Sequence, residues 1–105
     1  MKILYSQLIL QIGFGTGTAW CKEDPKEPFN RDLVEILKVA IKQGFYHIDG
    51  SDAYGTEEEI GVAIKESGVP REELFVTTKV LEGIYDVPAA IKSSLSKLQL
   101  DYVDL

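Results

Sequence analysis

A single cysteine, Cys21, in 105 residues excludes an intramolecular disulfide and suits a reducing compartment, so a cytoplasmic protein is expected. Basic residues are the minority charge, 11 against 17 acidic ones for a net charge of −6, and they are scattered along the chain. Without a basic field to neutralise a phosphate backbone, nucleic acid is not an expected partner. Long apolar runs are missing too: none approaches the ~20 residues that a membrane-spanning helix requires, so no membrane role is expected. The stretch Ile3–Ile12 behind Lys2 mimics a secretory leader, but Ser6, Gln7 and Gln11 interrupt it and no small-residue cleavage site follows. A buried strand accounts for it better. Only four prolines, with 45% hydrophobic and 27% charged residues, leave no disordered or low-complexity tract.

What is present is an alternation of two kinds of segment. Leu8–Phe14, Phe45–Asp49, Leu74–Val80 and Asp101–Leu105 are short, apolar and rich in β-branched or aromatic residues, which predicts strands buried on both faces. Between them the apolar residues take helical spacing. In Asn30–Gln43, Asn30 is placed to cap the start, Leu33, Ile36, Leu37, Ala40 and Ile41 form a stripe, and Gly44 is placed to end the helix. A second helix opens at Thr56-Glu57-Glu58-Glu59, where Thr56 and Glu59 have the spacing of a reciprocal capping box, continues through Ile60, Ala63 and Ile64, and stops at Gly68 and Pro70. In the third, Asp86 is a candidate cap, Pro88 falls in the first turn, and Ile91, Leu95 and Leu98 form the inward stripe. The order β-α-β-α-β-α-β, with short connections, predicts one domain over residues 1–105 with parallel strands joined by crossover helices.

In such a sheet every turn that follows a strand emerges on one rim, and functional groups gather there. The first such turn is Gly13-Phe14-Gly15-Thr16-Gly17-Thr18-Ala19-Trp20. Its glycines do not make a dinucleotide fingerprint, because the third glycine of G-x-G-x-x-G would fall at Thr18; they either permit a tight bend or let a ligand approach the backbone. The second turn carries Asp49 and Tyr54, and the third strand ends at Lys79. A phenol donates a proton poorly at neutral pH unless a neighbouring ammonium favours its anion, so Lys79 beside Tyr54, oriented by Asp49, would make a general acid for a carbonyl oxygen. A structural Asp49–Lys79 ion pair explains the same residues equally well.

Other candidates have simpler explanations. His47, two residues before Asp49 on the same strand face, fits a hydrogen-bonded core histidine better than a proton carrier. Cys21 beside Lys22 lacks any resolving partner. Asp52, Glu57, Glu58 and Glu59 look like a metal cluster, but acidic residues at the positive end of a helix serve that helix, and no metal is expected.

The segment His47-Ile48-Asp49-Gly50-Ser51-Asp52-Ala53-Tyr54-Gly55-Thr56-Glu57 resembles the signature of the aldo-keto reductases, in which an aspartate precedes the catalytic tyrosine by five positions. Phe75-Val76-Thr77-Thr78-Lys79-Val80 is similar to that family's third strand with its catalytic lysine, and Leu98–Leu105 to the approach to its fourth. The resemblance implies the first three to four βα units of a (β/α)₈ TIM barrel, an α/β fold. It implies Tyr54, Lys79 and Asp49 as catalytic residues, with Gly15, Thr16, Thr18 and Asp49 against the cofactor and Trp20 and Tyr54 against the substrate. The activity implied is NADPH-dependent reduction of small aldehydes or ketones. The family's catalytic histidine and phosphate-binding residues would fall beyond Leu105. Gly50, Ser51 and Thr56 depart from the usual signature. The alternative expectation is a non-catalytic half-barrel that self-associates, or binds a partner, through open sheet edges.

Overall fold

The computed structural model describes residues 12–105. Residues 8–11 of the first expected strand, and the leader-like stretch up to residue 11, lie outside them. Three parallel strands, β1 (Gly13–Gly15), β2 (His47–Asp49) and β3 (Phe75–Thr77), form a sheet in the order β1-β2-β3. Gly13, Phe14 and Gly15 face His47, Ile48 and Asp49, which in turn face Phe75, Val76 and Thr77. Helix α1 (Arg31–Lys42) joins β1 to β2, α2 (Glu57–Ser67) joins β2 to β3, and α3 (Val87–Leu98) follows β3. Short 3₁₀ turns at Asp52–Tyr54 and Arg71–Glu73 precede α2 and β3.

Each helix begins and ends for a local reason. The Asn30 side chain accepts the Leu33 amide at 3.1 Å, and Gly44, at φ +97°, turns the chain after α1. Gly68 closes α2 in the left-handed region at φ +73°. Asp86 caps α3 through the Ala89 amide at 3.2 Å, with Pro88 in its first turn. The capping box expected at Thr56 and Glu59 does not form. Both side chains are drawn into long-range contacts instead: the Thr56 hydroxyl donates to Thr16 Oγ1, and Glu59 pairs with Lys22.

The core lies between the helices and one face of the sheet. Leu33, Val34, Leu37 and Ile41 from α1, Ile48 and Val76 from the strands, and Ile60, Ala63 and Ile64 from α2 are all buried, with Leu98 closing the end. Because side chains alternate along a strand, His47 and Asp49 point to the opposite face and are only half-buried. That opposite face is covered unevenly: β3 is buried on both faces at Val76 and Thr77, whereas β2 is not. Two stripe residues also stand outside the core: Ile36 is 42% exposed because the buried line of α1 runs through Leu33, Leu37 and Ile41, and Ile91 is 43% exposed. Helix α3 meets α2 through Ser94 and Leu98, which leaves Ile91, a turn nearer its start, uncovered.

The strand expected at Asp101–Leu105 is absent as a strand, although this segment runs beside β3. The Asp104 amide donates to Val76 O at 2.9 Å and the Thr78 amide to Leu105 O at 2.9 Å. The Val76 N–H goes to the Asp104 carboxylate at 2.8 Å, so a side chain takes the place of one rung of a backbone ladder. The same carboxylate holds Arg71 at 2.7 Å.

Candidate active site

Backbone bonding continues past the strand ends and ties the three rim turns together. Thr16 N donates to Asp49 O at 3.0 Å, Gly50 N to Thr77 O at 2.8 Å, and Asp52 N to Lys79 O at 3.1 Å. The turn after β1 is thus fixed to the end of β2, and the turn after β2 to the end of β3. Lys79 and Tyr54, 25 positions apart in sequence, are brought to one end of the sheet by this zipper.

Lys79 reaches back across the rim. Its Nζ donates to Asp49 Oδ1 at 2.8 Å and to Gly50 O at 2.7 Å, and it lies 4.9 Å from the centroid of the Tyr54 ring. The Lys79 and Asp49 side chains are 46% and 36% exposed. An ion pair that open contributes only about 0–1 kcal/mol to stability. The Tyr54 ring also meets Gly17: a Cβ at position 17 would stand 2.9 Å from Tyr54 Cζ, closer than real contacts allow. The turn glycine at this position is needed for the phenol to lie against the backbone.

The remaining expected residues divide. Gly15 sits opposite Asp49 in the sheet, and a Cβ there would meet nothing within 4 Å, so the strand end is open. Thr18 is exposed, at φ 43°. Thr16 is fully buried; its hydroxyl donates to Asp49 O at 2.9 Å and accepts from Thr56. It holds the Asp49 backbone and offers no free donor. Trp20 packs against the core and lines a groove of about 350 Å³ with Phe29 and Asn30, a groove that Tyr54 does not line. A larger groove, about 720 Å³, lies between the 22–29 loop, the start of α2 and α3; it includes Ala53 and Gly55 but not Tyr54, Lys79 or Asp49. Neither groove coincides with the cluster of Asp49, Tyr54 and Lys79.

The acidic residues expected to serve the start of α2 do other things. Asp52 accepts three backbone amides of the loop after β3: Leu81 at 2.9 Å, Glu82 at 3.2 Å and Gly83 at 3.0 Å. Burial works against its charged form, but the N–H groups of Gly83, Leu81 and Glu82 and the Ser51 hydroxyl outweigh it and hold the carboxyl below its ordinary 3.8. Glu57 accepts the Thr78 hydroxyl at 2.7 Å, one residue before Lys79. Among the described residues no group of three His, Cys, Asp or Glu side chains is arranged for a metal ion. His47 Nε2 is 3.0 Å from Thr77 Oγ1, and its ring meets Phe75 edge-on at 4.8 Å. Cys21 is exposed, and the neighbouring Lys22 ammonium is turned away to Glu59.

A profile of the aldo/keto reductase family matches residues 11–105. The chain belongs to the aldo/keto reductase family. It is 48% identical over 92 residues to a Schizosaccharomyces pombe NAD/NADP-dependent indole-3-acetaldehyde reductase, covering 88% of this chain and 32% of that protein. Against human aldo-keto reductase family 1 member C4 the identity is 44% over 101 residues, covering 90% and 29%. The crystal structure of a Bombyx mori aldo-keto reductase in complex with NADP superposes with a TM-score of 0.73 at 37% identity, covering 88% and 31%. A thermostable aldo-keto reductase with the inhibitor epalrestat gives 0.76 at 39%, covering 88% and 35%. This aldo/keto reductase chain thus spans 29–35% of the length of these relatives. No helix among the described residues is long and apolar enough to cross a membrane.

Proposed function

We propose that residues 1–105 form the first βα units of a (β/α)₈ barrel in a protein that reduces small aldehydes or ketones to alcohols with NADPH. The observation that carries this reading is the placement of the Lys79 ammonium, anchored by Asp49 and Gly50 O, over the Tyr54 ring at the open end of the sheet. Tyr54 is the proton donor to the carbonyl oxygen. Lys79 stabilises the phenolate left behind, and Asp49 holds Lys79 in place.

The residues present fit the nicotinamide end of the cofactor. Gly15 leaves an open floor at the strand end, Asp49 offers a half-exposed carboxylate to a ribose hydroxyl, and Thr18, in the turn after β1, is exposed. Thr16 acts from behind by fixing Asp49 O. The reduced nicotinamide, when bound, supplies the hydride that the carbonyl carbon accepts. Trp20, expected against the substrate, lines a groove that does not include Tyr54, so its part in the substrate site rests on the family resemblance alone. The name of the Schizosaccharomyces pombe relative supports an aldehyde as substrate and leaves NAD beside NADP as cofactor.

The test is carbonyl-dependent oxidation of NADPH together with NADPH binding by fluorescence. Tyr54→Phe is expected to lower turnover ~10²–10⁴-fold while NADPH still binds. Undiminished turnover in Tyr54→Phe would remove the proton-donor assignment. A chain that neither binds NADPH nor oxidises it, and scatters light as a dimer or larger, would favour passive assembly through sheet edges instead.

A further inference from the structure

Three contacts of Lys22 converge on the turn that carries Tyr54. Its backbone N donates to Tyr54 O at 2.9 Å. Its methylenes lie against Gly55, where an added Cβ would meet Lys22 Cβ at 3.2 Å. Its ammonium donates to Glu59 Oε1 at 2.5 Å, the Lys22 and Glu59 side chains being 12% and 0% exposed. The same Oε1 accepts the Asn30 amide at 2.8 Å, so one buried carboxylate gathers the 22–30 loop onto the first turn of α2. Glu59 Oε2 is buried with no partner, and Lys22 is the only cation bonded to this carboxylate, among the described residues.

The contrast with the rim pair is informative. Asp49–Lys79 is open to water, whereas Lys22–Glu59 is shielded, and a buried pair fixes geometry because parting the charges strands one of them in a low dielectric. Helix α2 is already anchored by Ile60, Ala63 and Ile64. The pair secures the stretch that those apolar residues do not reach, between the 3₁₀ turn at Tyr54 and the start of the helix. The Tyr54 ring meets Gly17 and Lys79, and its backbone is held within the turn by the Tyr54 amide on Ser51 O at 3.2 Å and from outside the turn by the Lys22 amide on Tyr54 O.

We infer that the buried Lys22–Glu59 pair is a positioning device for Tyr54: Lys22, held by Glu59, fixes the backbone from which the phenol reaches the carbonyl oxygen. This rests on the reading of Tyr54 as proton donor. Proton transfer tolerates little misplacement, and an error of about 1 Å costs ~10²-fold in rate.

The decisive variants are Lys22→Met, which keeps the packing against Gly55 and removes the charge, Lys22→Arg, which restores a cation, and the double variant Lys22→Met/Glu59→Gln, which strands no charge. Tyrosine-labelled protein is followed by nuclear magnetic resonance, the Tyr54 ring signal being the one lost in Tyr54→Phe. The expected result in Lys22→Met is a Tyr54 signal shifted toward free tyrosine and an amide at position 22 exchanging roughly tenfold faster. Turnover should fall ~10–100-fold in kcat with KM little changed, and Lys22→Arg should recover most of it. If Lys22→Met fails to fold, the double variant carries the same expectations. An unmoved Tyr54 signal or wild-type kcat in a folded variant overturns the inference and leaves the proton-donor reading standing. Wild-type turnover in Tyr54→Phe overturns that reading itself.

Discussion

Gly61 lies inside α2, where α3 ends against it, and it sets two effects of opposite sign in competition. In a helix interior alanine is favoured over glycine by about 1 kcal/mol, so propensity alone makes Gly61→Ala stabilising. The packing says otherwise. A Cβ at position 61 would stand 2.5 Å from Leu98 O, 2.7 Å from Leu98 C and 2.9 Å from Lys97 O. All three are backbone atoms, so no side chain can swing away, and ordinary contact requires α2 and α3 to part by nearly 1 Å. Leu98 is 1% exposed and Ser94 2%, so both lose close contacts when that interface opens. A buried leucine makes about 40–60 atomic contacts of ~0.1–0.2 kcal/mol, and a gap of that size forfeits a quarter or more of each. The cost is about 2–4 kcal/mol, leaving Gly61→Ala about 1–3 kcal/mol less stable after the propensity gain. Urea unfolding followed by circular dichroism measures it through the midpoint at unchanged slope. A midpoint moved upward would refute the reasoning and show that α3 yields to α2 without loss.

Other substitutions probe the site. Gly17→Ala places a Cβ within 2.9 Å of the Tyr54 ring and should reduce kcat more than it reduces stability, the comparison being steady-state turnover against the urea midpoint. Asp52→Ala removes the acceptor for three loop amides and should cost about 1–2 kcal/mol, because water replaces part of what is lost; proteolysis within residues 81–83 should accelerate. Acid should loosen the same loop. Asp52 is depressed in the folded state, so its contribution is complete above its ordinary 3.8 and disappears as pH falls through the lower folded value, a dependence that Asp52→Asn should flatten in unfolding measured against pH. Glu66 follows the same sign: hydrogen bonds first from Arg31 and then from Lys38 hold it at about 2, so its contribution fades as pH drops from 4.5 toward 2, and added salt should weaken it.

Much of the architecture was legible because it is written in local patterns. Asn30 and Asp86 cap the helices expected of them, Gly44 and Gly68 turn the chain where the periodicity stops, and the alternation of short apolar runs with helical stripes gave the order of elements. The rim cluster was legible for a related reason. Parallel strands joined by helices bring every following turn to one rim, so Asp49, Tyr54 and Lys79 could be assigned to one place from their positions alone. Where sequence reasoning missed, a distant partner outbid a local one. Thr56 and Glu59 have the spacing of a capping box, yet Thr16 and Lys22 claim them. Asp52 sits just before a helix but serves a loop 29–31 residues away. Nothing in the spacing of Lys22 marks it as the partner of Glu59, and no local signal separates Gly61, pressed against a carbonyl, from a glycine in open space.

Motif, periodicity and chain direction were enough to read the family, the first three strands with their three helices, and the meeting of Asp49, Tyr54 and Lys79 at one rim, but not the loss of the expected strand at Asp101–Leu105. Only the tertiary structure decided which carboxylates are buried, which lysine meets which acid, and which glycines have no room for a side chain. Those outcomes depend on distances between residues far apart in the chain. Local propensity carries no information about them, while desolvation and close packing decide them at the scale of a single ångström.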